Sequence, residues 1–123
     1  MPWFRVDDRF WSHPKVLACP LPALGLWIRA GSWCAEQLTD GLVPRPALVM
    51  LGGRPRDAAA LVEAGLWLVE GDGWRFHDWE TYQPTRAAVE AERAATAARV
   101  AAWRKRKRKR DGDDDGPTLA AVP

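Results

Sequence analysis

Apolar residues recur at helical spacing through the first third of the chain. Leu24, Trp27, Ile28, Gly31, Cys34, Ala35 and Leu38 fall on one stripe of a helix over 22–38, with Arg29, Ser32 and Glu36 on its other side. Pro22 suits the first turn, and Thr39-Asp40-Gly41 closes the helix. Leu42-Val43, just ahead of Pro44, reads as a minimal strand that the proline confines to an edge or a strand end. A short helix follows at about 45–51, carrying Leu48, Val49 and Leu51, until Gly52-Gly53 breaks it. Pro55 opens the next helix, 55–64, with Asp57 in the first turn, where the macrodipole favours an acid. Ala58, Leu61 and Val62 form its buried side, and Gly65 ends it as a left-handed cap.

The period then changes. Residues 66–70 and 74–79 read as two strands joined by Gly71-Asp72-Gly73. A three-residue loop sets Glu70 opposite Trp74 and Leu68 opposite Phe76. Residues 1–21 read as irregular, with Trp3, Phe4, Phe10 and Trp11 packed over the domain edge; Pro14 and Pro20 leave room for one helical turn. After Tyr82-Gln83-Pro84 the composition shifts. Thr85 caps a helix in which residues 86–104 include nine alanines but only Val89, Val100 and Trp103 as bulky apolar groups. Such a helix buries a thin strip only.

The order helix, short strand, helix, helix, hairpin predicts an α+β fold: a winged helix-turn-helix, a three-helix cluster with a β-hairpin wing, followed by a C-terminal basic helix. The expected organisation is a winged-helix domain over 1–83, an alanine-rich basic arm over 84–110 and a disordered acidic tail over 111–123. In this plan a helix presented by a small core lies in the DNA major groove, about 12 Å wide. Arg54 and Arg56 stand at the N-terminus of helix 55–64, where free N–H groups face a phosphate, and Arg75 lies on the wing. The outer face of that helix offers Arg56, Ala60 and Glu63, with no Asn or Gln to read adenine. Oligomerisation or partner docking therefore stays open as an alternative use of the surface.

The net charge of +2 conceals an asymmetry. Residues 1–83 carry 8 Lys/Arg against 10 Asp/Glu, residues 84–110 carry 10 against 2, and residues 111–123 carry 0 against 4. Arg104, Lys105, Arg106, Lys107, Arg108, Lys109 and Arg110 are consecutive cations that cannot all be paired locally. Were all seven to meet duplex phosphates, log K would fall against log salt with a slope of roughly −6. A solvated solubility tail or a nuclear signal is the blander reading, and a membrane surface fits poorly because no apolar face accompanies the charge.

Other chemistry finds little footing. Cys19 and Cys34 are too far apart for a C-x-x-C site, and Cys34 falls on an apolar stripe, so both read as buried and structural. His77-Asp78-Trp79-Glu80 is a thin basis for a metal-dependent nuclease, and Gly52-Gly53 lacks the Lys-Ser/Thr of a phosphate loop. The expectation is a non-enzyme without cofactor or metal. No signal peptide is visible, and the longest apolar run, Val16 to Ile28, is broken by prolines, which points to a cytoplasmic protein with reduced thiols.

Several stretches carry a resemblance. Val6-Asp7-Asp8, Ser12-His13-Pro14-Lys15, Ala23-Leu24-Gly25-Leu26-Trp27 and Ala30-Gly31-Ser32-Trp33-Cys34 resemble the opening of small proteins of actinobacterial phages and prophages. Asp40-Gly41-Leu42-Val43-Pro44, Leu61 to Trp67, and Phe76-His77-Asp78-Trp79 with Tyr82-Gln83-Pro84 continue it, over about residues 3–104. The last pieces also resemble the N-terminal domain of phage replisome organisers and DnaD-type primosome proteins. The resemblance implies a winged-helix protein acting near phage DNA replication, as an origin binder or an adaptor to a helicase or its loader. Duplex DNA is the implied partner, with self-association and a transcriptional role as alternatives. The chain departs from a full replisome organiser in having no room for a second folded domain, which puts helicase loading in doubt.

Overall fold

The computed structural model describes residues 3–113. The chain divides into two compact units, Met1–Arg86 and Ala87–Pro123. In the first, a 3-10 turn over Phe10–Ser12 leads to α1 (Pro14–Leu17) and the long α2 (Leu21–Gln37). Next come β1 (Leu42–Val43), α3 (Arg45–Met50), α4 (Pro55–Ala64), β2 (Trp67–Glu70), β3 (Gly73–Phe76) and α5 (Trp79–Tyr82). The last helix, α6, spans Arg86–Asp113 and makes up the described part of the second unit.

The fold is α+β, with one three-stranded antiparallel sheet in the order β1-β3-β2. Val43 pairs with Trp74 and Leu42 with Arg75, so β1 is an edge strand, as Pro44 requires. α2 packs on α4, and α4 leads into β2 through Gly65 in the left-handed conformation, φ 84°. The α4 boundaries match those read from Pro55 and Gly65.

Three expectations about local structure are corrected. The hairpin loop has two residues: Glu70 pairs with Gly73, Val69 with Trp74, Leu68 with Arg75 and Trp67 with Phe76. Gly71 takes φ 56° at the first central position, where a two-residue hairpin turn calls for glycine. The buried face of α2 is Ala23, Leu26, Ala30, Gly31, Cys34 and Ala35, while Ile28 is 43% exposed. Small residues win there because they let α4 and the Phe4 ring approach closely. α2 also ends earlier than expected, at Leu38 with φ 55°, ahead of Thr39.

The N-terminal segment differs too. Trp3 and Trp11 are exposed, whereas Phe4 and Phe10 enter an aromatic cluster. Phe4 meets Trp27 edge-on at 5.0 Å and stacks on Trp79 at 6.0 Å, and Phe10 stacks on Trp27 at 4.7 Å. Phe76 joins Trp27, Trp67 and Trp79 at 5.8, 5.5 and 5.3 Å. α5, which places Trp79 in this cluster, was not anticipated from sequence. Trp67 and Trp79 bury their indole N–H groups without an acceptor among the described residues. Each such group costs about 1–3 kcal/mol, set against about 4–6 kcal/mol from burying a ring of that size. In the second unit α6 runs three residues past the basic stretch to Asp113. The rest of the expected acidic tail, 114–123, lies outside the described residues.

Cys34 is fully buried and donates to the Leu42 carbonyl at 3.4 Å; Cys19 is buried as a free thiol. Burial pushes the Cys34 thiol up to about 11.

A Cβ on Gly31 would sit 2.2 Å from the Phe4 ring, whereas one on Gly25 meets nothing within 4 Å. Gly31→Ala should therefore cost about 1–3 kcal/mol, while Gly25→Ala in the same helix should stabilise by about 0.5–1 kcal/mol, both read by urea unfolding. For Cys34, the unfolded thiol ionises first, so the native state holds the proton more tightly between about pH 9 and 11. Stability should fall over that window by about 1–3 kcal/mol, and Cys34→Ala should remove that part of the slope.

Candidate nucleic-acid interface

The α3-turn-α4 segment is tied to its surroundings by arginines. Arg45, first residue of α3, donates from Nε to the Asp72 carbonyl at the hairpin tip (3.0 Å) and lies over the Trp74 ring at 5.5 Å. Arg29 of α2 donates to the Leu51 carbonyl at 3.1 Å, holding the C-terminal end of α3. In the turn, Gly53 N–H donates to Leu48 and Gly52 N–H to Val49. These two arginine contacts escaped the sequence reading, since neither has a local partner in the chain.

At the start of α4 the Arg54 backbone N–H donates to Asp57 Oδ2 at 3.0 Å. A buried carboxylate thus occupies the first turn, where a phosphate was expected to be met by free N–H groups. The Arg54 and Arg56 side chains are exposed at this end. The outer face of α4 presents Arg56, Ala59 and Glu63; Ala60, expected there, packs partly against the core.

Arg75 has a different environment from the one expected of a wing cation. Its guanidinium forms a two-point pair with Glu70 and also donates to the Asp40 carbonyl at 3.4 Å. Glu70 stabilises the charged form and raises its already high pKa. Arg75 faces Leu68 across the hairpin, so Glu70, two residues on, is its diagonal neighbour on the same face. The structure therefore leaves Arg54 and Arg56 as open cations near α4 and places Arg75 in a neutralised pair.

The densest charge lies on α6. Arg104, Lys105, Arg106, Lys107, Arg108, Lys109 and Arg110 are all helical, and all but the half-buried Lys107 are exposed. Among the described residues none of the seven is ion-paired; the one α6 pair in this part of the helix is upstream, Arg99 with Glu92 at 3.4 Å, bridged by Thr96. Lys107 Nζ sits 5.2 Å from the centre of the Trp103 ring. At a rise of about 1.5 Å per residue, the run carries one charge per about 1.5 Å, close to the one phosphate charge per about 1.7 Å of duplex DNA. The cations at three- and four-residue spacing repel one another, by about 0.2–0.5 kcal/mol per pair. A helix about 10–12 Å across also matches the width of the major groove.

A further feature, without periodicity to announce it, is a cavity of about 350 Å³ in the first unit. Distant stretches of sequence converge on it: Asp7, His13 and Lys15 from the N-terminal segment, and His77, Asp78 and Tyr82 from the end of the hairpin and α5. Phe4, Trp27, Phe76 and Trp79 supply aromatic walls. His77 Nδ1 lies 3.0 Å from Asp78 Oδ2. Buried Gln83 fastens the N-terminal segment by using its amide as a backbone would: Oε1 accepts the Arg5 N–H at 2.9 Å and Nε2 donates to the Arg5 carbonyl at 2.6 Å. Among the described residues no group of three His, Cys, Asp or Glu is placed to hold a metal ion, and no helix is long and apolar enough to cross a membrane.

Comparison with family models, with curated proteins and with solved structures gives no match.

Gln83→Ala should release the N-terminal segment, costing about 1–3 kcal/mol through the unmet Arg5 peptide groups. Limited trypsin digestion should then cut faster at Arg5 and Arg9, while Gln83→Glu should give an intermediate rate.

Proposed function

We propose that the chain is a non-enzymatic DNA-binding protein of winged-helix architecture. α2, α3 and α4 form its three-helix cluster, and β2-β3 form its wing. The sheet order β1-β3-β2 and the α3-turn-α4 segment support the architecture. The observation that carries the function is the run of seven unpaired cations, 104–110, on one continuous helix at a charge spacing close to that of duplex phosphates. Arg54 and Arg56 are two further exposed cations, at the start of α4 on the first unit. α4 offers almost no base-reading groups, so the binding is dominated by phosphate contacts and is weakly selective for sequence. The resemblance to actinobacterial phage proteins and replisome organisers makes replication initiation the favoured setting, with DNA binding and self-association favoured over contact with a helicase or its loader.

A second reading has its own support. Val49 and Met50 of α3 are 79% and 62% exposed beside the turn to α4. Exposed apolar side chains at that position suit contact with a second copy or another protein, in line with an oligomerisation or regulatory module.

Titration of full-length protein on duplex DNA against salt tests the main reading. A helix that engages four to six of its cations should give a log–log slope of about −4 to −5, or about 10²–10³-fold weaker binding from 50 to 200 mM salt. Replacing residues 104–110 with glutamine should abolish most of that slope. Absence of binding at low salt, or a slope indifferent to the replacement, defeats the proposal.

A further inference from the structure

Trp103 stands out on α6. It is 53% exposed, and it is the last aromatic residue before the basic run. Apart from Val100, at 40% exposure, the helix offers no other exposed large apolar side chain among the described residues. An indole is a poorer helix former than alanine, and what offsets that within the helix is its contact with Lys107. Lys107, one turn on, covers part of the ring with its ammonium group at 5.2 Å. Arg106 and Arg110 follow at three- and seven-residue spacing, so the ring shares its side of the helix with three cations.

This is the pairing of groups that a nucleotide requires: a flat apolar surface for the base and positive charge within a turn or two for its phosphates. A paired duplex presents base edges in its grooves and keeps the flat faces covered by stacking, so it cannot use the indole. An unpaired strand can, because its bases are free to stack on an aromatic side chain. A membrane surface would ask for a continuous apolar face, and α6 is mostly alanine and charge.

We propose that Trp103 is a base-stacking residue, through which the α6 arm holds unpaired DNA by a contact that a duplex does not offer. The inference rests on the reading of the arm as a polyanion-binding element and specifies the form of nucleic acid it takes.

The test uses the full chain, as wild type, W103A and W103Y, against a thymidine oligonucleotide of about 20 nucleotides and a duplex of equal length at one salt concentration. W103A should weaken binding to the single strand about 5- to 100-fold and binding to the duplex less than about twofold, with W103Y retaining most of the affinity. Circular dichroism should show α6 intact in W103A. A fluorescent adenine analogue placed in the strand should be quenched by wild type and not by W103A. Equal losses on both substrates, or no loss on the single strand, overturn the inference while leaving the arm as a phosphate binder. Failure of the wild type to bind either substrate overturns the underlying reading as well. Adsorption to anionic vesicles that depends on Trp103 as strongly as strand binding does also overturns the inference.

Discussion

The first unit is held by contact among aromatic rings that come from five parts of the chain. Phe76 on β3 touches Trp27 of α2, Trp67 of β2 and Trp79 of α5, and Phe4 closes over them from the N-terminal segment. Truncating any one of the buried rings would cost about 3–5 kcal/mol, a large share of the stability of a domain this size. Everything else is arranged around that fact. α2 carries small residues where the rings and α4 must come close, and Gly31 is bare because Phe4 rests on it. Among the described residues the Trp67 and Trp79 indole N–H groups lack an acceptor, because the rings gain more by being buried than their polar atoms lose.

Much of this was legible in the sequence where the signal was local. Pro55 and Gly65 mark α4 at both ends, and Pro44 restricts β1 to an edge. What failed was whatever depended on distance or on a choice between near-equal local options. Gly71-Asp72-Gly73 accommodates a two- or three-residue loop, and choosing three moved the register by one. That slip matters beyond the hairpin, because a one-residue shift sends every side chain to the other face. With the three-residue loop Arg75 is separated from Glu70; with the observed register they are diagonal neighbours, and the expected wing cation becomes half of an ion pair. On α2, Gly31, Cys34 and Ala35 are buried as expected, but hydrophobicity favoured bulky Ile28 for the core, whereas close packing selected Ala23 and Ala30.

The candidate site divides along similar lines. The basic run needed no structure to be noticed, since seven adjacent cations are visible as composition. The structure adds that they are helical, which fixes their spacing and places Trp103 on a side shared with Lys107. The N-terminal cavity gave no comparable signal. Its polar residues come from the N-terminal segment and from the end of the hairpin and α5, some sixty positions on, and the Gln83–Arg5 clasp and the aromatic cluster tie the two together.

The helical form of the basic run carries one more implication. Its side chains repel one another at every three- and four-residue step, so its last two turns exist against an internal electrostatic pressure that the alanine-rich segment and the Lys107–Trp103 contact only partly relieve. Any polyanion that settles along the arm discharges that pressure. Screening by salt lowers the same repulsion, so the helicity of residues 104–110 depends on the ions around them.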